Sequence, residues 1–377
     1  MRKRSTLATL SASAVVLLSL FTAPAFAHHP VLAKFDDARP LTLTGRVTDV
    51  FWANPHVHVF ISVDGNDATP VIWAIELAST IELQWSGWRP DAVKVGDVIT
   101  VDGIAARNGS AQIWGNNVER ENGEKIFTVD EQVFAKQLEQ PAQGPLPRWP
   151  DNQPRLGPAP GNTGYWALPS RTSLVEDGVD VAMDEHGILA NINDAAKIAP
   201  FQDWAKDLYV LRQSNFLRDD PSYLYCIPPG GPRQFQNPFG FQFVEERERE
   251  RIFILQAGGN GNWNLIYTDG RDQVGQVSGD DNNPLFFGRS VATWEGDTLV
   301  VDSVGFNEGF WFSNGGLPHT SQLHVIERFT REDINTLRVE VTVDDPGAYT
   351  REWTSSWTMQ WINGKELPEY YCQDNRP

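Results

Sequence analysis

Residues 286–310 read FFGRSVATWEGDTLVVDSVGFNEGF, and residues 323–349 read LHVIERFTREDINTLRVEVTVDDPGAY. Four runs here, 290–294, 298–303, 323–329 and 336–343, are rich in Val, Ile, Leu, Thr and Phe. Short polar connections join them in pairs, Glu295-Gly296-Asp297 in the first and 330–335 in the second, as antiparallel hairpins require. Alternation assigns the faces: Val339, Val341 and Val343 point one way, and Arg338, Glu340 and Thr342 the other. The same rule puts Glu327 with Leu323, Val325 and Phe329, and Arg328 with His324 and Ile326. A meander that curls into a barrel is the expected architecture.

Working outward, strand-like text continues upstream in YLYCIPPGGPRQF, FGFQFVEE, RIFILQAG and NLIYTDGR, and downstream in 353–361. Pro200 opens an expected helix with Phe201, Trp204, Ala205, Leu208 and Leu211 as its packing stripe, a lid or plug for the barrel. Gly164-Tyr165-Trp166 at the start of this domain resembles the G-x-W of lipocalin-like proteins, in which the Trp plugs one end. The domain is expected to span 163–377. Residues 129–162 are dense in Pro, Gly and Gln and read as a linker or an ordered strap.

The first domain, 28–128, begins with the arm HHPVLAKFDDARP. The strand-like runs LTLTGRVTDVFW, VHVFISVD and PVIWAIEL follow. A capping-box helix start at Ser79-Thr80-Ile81-Glu82 comes next, then KVGDVITVDGIAA and SAQIWGNNVE. Three strands, a helix and two strands, with Gly45 where the first strand must bend, match an OB-type barrel. The fold class is therefore mainly β, an OB-like small barrel followed by an antiparallel, lipocalin-like barrel with a lid helix.

Residues 1–27 carry a basic start, an apolar stretch and Ala25-Phe26-Ala27, the features of a cleavable signal peptide. Export to the periplasm or beyond is expected, with no membrane insertion after cleavage and His28 as the first mature residue. Losing Arg2, Lys3 and Arg4 leaves 28 basic residues against 49 acidic ones, a net charge of −21. That excludes nucleic acid as a partner, because phosphate binding needs a basic surface. Fourteen Trp, twenty Phe and 56 Gly plus Pro suit a β protein with long ordered loops. Cys226 and Cys372, a lone pair in an oxidising compartment, are expected to form a disulfide.

Three groups of residues can carry chemistry. His28 with its free amine, His29, His56 and His58 make a nitrogen-rich set that suits copper, or zinc less selectively. His56 and His58, one residue apart on a strand, share a face. In the barrel, Asp269, Arg271, His319, His324 and Glu327 are the candidates for acid–base work, against the plainer reading that they serve turns and structural ion pairs. Trp263, Trp294, Phe306 and Trp311, beside Asn/Gly-rich loops, are the candidates for stacking on a ligand; the same pattern also suits aromatic caps on turns. No P-loop, dinucleotide fingerprint, HExxH or GxSxG occurs, so no nucleotide cofactor is expected.

HHP followed by LAKFD, TGRVTDVFWANPHVHVFISV, CIPPGGPRQF, YTDGR, WEGDTLVVDSVGFN, LHVIERF and VTVDDPGAYTREW together resemble a family of exported bacterial proteins of uncharacterised activity. The resemblance spans nearly the whole mature chain and implies export and a two-domain β layout. It implies no activity. Relatives would have His-Pro after DGR, where this chain has Asp272-Gln273-Val274. The functional expectation is a periplasmic binding protein for a small apolar or aromatic molecule, with a histidine copper site in the first domain. The alternatives are a cofactor-independent or copper-dependent lyase, isomerase or oxidoreductase acting on that molecule, and a carbohydrate-binding envelope module.

Overall fold

The computed structural model describes residues 31–369 apart from 54–55, 66–68, 129–137, 139, 185–186, 238 and 273–282. The expected signal peptide, His28, His29 and Cys372 lie outside the described residues. So do Gln273 and Val274.

A one-turn helix, α1 (Val31–Lys34), leads into β1 (Phe35–Phe51), β2 (His58–Asp64) and β3 (Pro70–Glu76). Then come α2 (Thr80–Trp85), β4 (Val98–Ala106), β5 (Gln112–Arg120) and β6 (Lys125–Thr128). Strands β1, β2, β3, β5 and β4 pair in a ring. All contacts are antiparallel except β3–β5, and β6 extends the sheet beyond β5. A five-stranded ring with its helix between the third and fourth strands is the OB arrangement. Gly45 lies where β1 crowds β2: a Cβ there would stand 2.6 Å from the Ser62 carbonyl oxygen. The ring closes over Val57, Val59, Ile61, Ile75, Ile99, Val101 and Ile113, each fully or almost fully buried. The capping box expected at α2 is formed: Ser79 accepts from the Glu82 N–H, and the Glu82 carboxylate accepts from the Ser79 N–H.

The second unit is a closed barrel of nine strands. They are β7 (Gly164–Ala167), β8 (Phe241–Glu246), β9 (Arg251–Gln256), β10 (Trp263–Tyr267), β11 (Arg289–Glu295), β12 (Thr298–Val304), β13 (His324–Arg331), β14 (Thr336–Asp344) and β15 (Trp353–Asn363). The four runs expected from the sequence are β11 to β14, in register as two hairpins, and Gly296 turns the first of them with φ of +63°. A ring of antiparallel neighbours reverses direction at every step, so an odd count forces one parallel contact. That contact is β10–β11, where only Ile266–Ser290 and Tyr267–Val291 pair.

Three helices, α3 (Asp203–Asp219), α4 (Pro221–Tyr225) and the short α5 (Gly258–Gly261), decorate the barrel. The buried line of α3 is Ala205, Tyr209 and Gln213, four residues apart, while Trp204 and Leu211 of the expected stripe are exposed. Phe201 precedes the helix, bridges to Tyr349 and stacks on Tyr209. Gln213 takes the third place because its amide bonds three backbone groups, of Gly187, Leu189 and Gly315. Hydrogen bonding overrode hydrophobicity there.

The interior is entered by a different segment. Gly231–Gln236, a 3-10 turn, is buried throughout, and its Phe235 packs edge-on against Phe241 of β8 and Phe329 of β13. The buried Arg233–Asp220 ion pair fixes this plug, with Asn314 accepting from the same guanidinium. Trp166 of the G-x-W is fully buried at one end of the barrel. The Arg331 guanidinium lies over both Trp166 and Trp361. Residues 140–162 lie along the same end: Ala142 exchanges bonds with Asn335, and the Leu156 and Gly157 N–H groups donate to Glu245.

Candidate functional site

In the OB-like ring the organising group is Glu76, the last residue of β3, only 3 % exposed. It pairs in register with His58 on β2 and with Trp114 on β5. Its Oε1 lies 2.5 Å from His56 Nδ1, while Oε2 accepts from Lys34 Nζ at 2.6 Å and lies 3.6 Å from His58 Nε2. His56 is buried edge-on against Trp114, and His58 is partly open. The tautomers follow from the partners. A carboxylate and a carbonyl only accept, so neutral His56 carries its proton on Nδ1 toward Glu76. Neutral His58 carries its proton on Nδ1 toward the His56 oxygen, 3.0 Å away. Both imidazoles then keep the Nε2 lone pair, the arrangement found in metal-ligating histidines whose other nitrogen is anchored. Both imidazoles thus approach the Glu76 carboxylate, His58 from the start of β2 and His56 from the segment before it rather than from the same strand. Among the described residues no group of three His, Cys, Asp or Glu is placed to hold a metal ion.

The barrel candidates do not share one site. His324 and Asp302 pair on the outer wall at 3.1 Å, each about a third exposed. Glu327, three residues later on the same strand, faces the interior at 3 % exposed. Burial in an apolar wall pushes its carboxyl up to about 8. His319 is buried between Phe310 and Phe312; its Nε2 donates to the Asn307 carbonyl, and its Nδ1 has no partner among the described residues. Desolvation lowers its pKa, so the ring stays neutral. Asp269 and Arg271 form a two-residue ion pair at the surface, the guanidinium lying 3.6 Å from the Tyr267 ring centre. That pairing holds the Asp269 carboxyl below its usual range. Acid–base work by these five residues together has no common centre.

Of the four aromatic candidates, Phe306 and Trp311 are buried, the first in the barrel core and the second under Arg212. Trp294 packs half-buried on the core's edge. The loop 306–316 therefore spends its aromatics on packing. Trp263, 57 % exposed, stands apart. It lines a cleft of about 750 Å³ at the parallel contact.

The shape of this cleft follows from the strand count. With only two residue pairs joining β10 to β11, the first part of β10 has no neighbour on that side among the described residues. Side chains of both faces consequently line the opening. Asn264 and Ser290 belong to the buried, inward set, whereas Trp263, Leu265, Tyr267 and Val291 belong to the outward set. Leu285, Phe286 and Phe287 form the opposite lip. Asn264 is 4 % exposed, and among the described contacts its amide side chain makes no hydrogen bond. The cleft is an apolar and aromatic slot with a few polar groups, of the size that takes small molecules.

Three features escaped the sequence reading. Glu76 is a lone carboxylate within PVIWAIEL, and that oddity was its signal. Lys34 and Asn264 had none, since only the fold brings them to their sites. Cys226 is disulfide-bonded; its expected partner Cys372 lies outside the described residues. No curated protein matches the chain. Residues 15–114, from the expected signal peptide into β5, match the model of a family of unknown function, DUF6152.

Proposed function

We propose that the protein is a binding protein, acting outside the cytoplasm, for a small apolar or aromatic molecule seated in the cleft between β10 and β11. The observation that carries this reading is the opening itself, 750 Å³ walled by Trp263, Tyr267, Leu285 and Phe286, with the buried Asn264 amide at its floor. An exposed Trp on an otherwise paired wall offers a stacking face, and the amide fixes orientation. The test is titration of purified protein with a panel of small aromatic compounds, read by tryptophan fluorescence and calorimetry. A saturable single site is expected, weakened about tenfold by Trp263→Ala, the size of one lost aromatic contact. Affinity unchanged in both Trp263→Ala and the cleft-filling Val291→Trp would sink the proposal.

A second reading is favoured by the anchored imidazoles of His56 and His58. In it, the mature amino end with His28 and His29 joins their Nε2 atoms around copper, or zinc. Lys34, on the Glu76 carboxylate, is six residues from His28, so an extended arm of about 20 Å at most separates that amine from the cluster. Metal content is to be compared between protein starting at His28 and protein with an added N-terminal Met. Copper lost with the added Met, and with His58→Ala, is the expected result. Equal copper in all three would remove the amine and His58 from the ligand set.

A further inference from the structure

A second group of polar atoms lies inside the barrel, away from the cleft lining. Strand register puts Glu327 in a row with Ala292, Val301, Val341 and Ser355, one residue from each of five neighbouring strands. All four companions have short side chains and are buried. The next row toward the His324 end runs Ser303, Val325, Val343 and Trp353, and the row on the other side runs Leu299, Phe329, Val339 and Trp357. The belt of short residues is therefore flanked by Trp353 on one side and by Phe329 and Trp357 on the other.

Unmet hydrogen-bonding capacity is concentrated here. The Glu327 side chain is 3 % exposed, and among the described residues no hydrogen bond or ion pair to its carboxyl is found. Both amide atoms of Gln236, the Gln256 Oε1 and the Nε1 of Trp353 and of Trp357 are buried without partners among the described residues. Gln236 follows Phe235, whose ring is 5.2 Å from that of Phe329, the inward neighbour of Glu327. Gln256 is tied to the plug through Gln234. Trp353 and Trp357 stand two residues either side of Ser355 in the Glu327 row. Natural interiors leave few such groups unpaired, and each exception asks for a bridging water or a ligand.

We propose that the barrel lumen beside Glu327 is a binding site for a small uncharged ring compound bearing a hydroxyl, of the phenol class. Aromatic walls and a belt of short residues suit a ring. The free groups include donors (the two indole N–H, the Gln236 amide) and acceptors (the Gln236 and Gln256 oxygens). A hydroxyl answers both kinds. An anion would find Arg331 already held at both Nη atoms by the carbonyls of Arg155, Gly157 and Ile334, with only its Nε lacking a partner among the described residues, and Arg233 paired with Asp220. An ammonium group would have to ionise the buried Glu327 carboxyl, and it would leave the two indole N–H donors unanswered. The site shares no residue with the cleft lining, so either can fail without the other.

The experiment titrates the whole mature protein with phenol, benzoate and benzylamine. It reads calorimetry and the infrared band of the protonated Glu327 carboxyl, with Glu327→Gln as the spectral blank. Phenol is expected to bind with a stoichiometry near one and to shift the band. Glu327→Gln, which keeps a donor and an acceptor, should hold its affinity within about threefold, and Glu327→Leu should lose about tenfold or more. The phenol-induced shift of the Glu327 band should persist in Trp263→Ala, whatever that change does to binding in the cleft. An unshifted band in the unmodified protein means a lumen that holds water alone, and overturns the proposal whether or not Glu327→Leu folds. Preference for benzylamine overturns the uncharged class. Phenol binding that survives Glu327→Leu but is lost in Trp263→Ala assigns the compound to the cleft instead.

Discussion

Glu327 shows what one residue contributes to the pH dependence of the whole chain. In the unfolded chain its carboxyl ionises near 4.5, and in the barrel near 8. Between those values the folded state holds a proton that the unfolded state has released, so stability falls as pH rises through that window. The slope is about 1.4 kcal/mol per pH unit from this group, an upper figure. Glu327→Gln keeps the shape and has no proton to lose. Denaturant unfolding at pH 5, 6, 7 and 8 should show the variant gaining on the parent as pH rises, by up to about 3 kcal/mol between pH 5 and 8. Glu82, pushed up to about 7 by its own burial, slopes the same way in both proteins and cancels in the difference. Parallel curves would mean that the Glu327 carboxyl is solvated. Alternation alone had already turned Glu327 inward with Val325 and Phe329. It could not show that no cation follows it there, because that depends on where Arg331 and Arg233 are spent. Glu76 differs again: its partners Lys34, His56 and His58 come from two other elements and meet it only through register.

At the scale of elements, the strand runs were the most legible part of the chain, and the helix and the plug the least. Period-two text with short polar turns left little choice for β11 to β14. For α3 the apolar residues marked a face one position away from the buried one, since Gln213 satisfies three backbone groups and draws Ala205 and Tyr209 with it. The Gly231–Gln236 turn has no periodicity to read, yet it supplies the interior with Phe235. The two elements can be weighed against each other. Phe235→Ala should cost about 3–5 kcal/mol in chemical denaturation, as large aromatic truncations in a packed core do. Leu211→Ala, at a position 54 % exposed on α3, should change stability by no more than about 0.5 kcal/mol. Equal losses would restore α3 as the plug.

The two rings make contact through α2, whose Ile81 packs with Phe239 and Ala257 of the barrel and with Leu367. Residues 140–162 lie against the barrel alone, along the Trp166 end, in the contacts the described residues make. Both rings were foreseeable from strand counts, whereas the closing pairs were not. Strand β7 joins β15 and β8 across some two hundred and some seventy residues, distances over which no local pattern carries information. Such a seam has a bearing on synthesis. Until residues near 363 have left the ribosome, β7 has no neighbour on one flank, and the ring stays an open ribbon. A chain whose last strand must find one of its first cannot shut early.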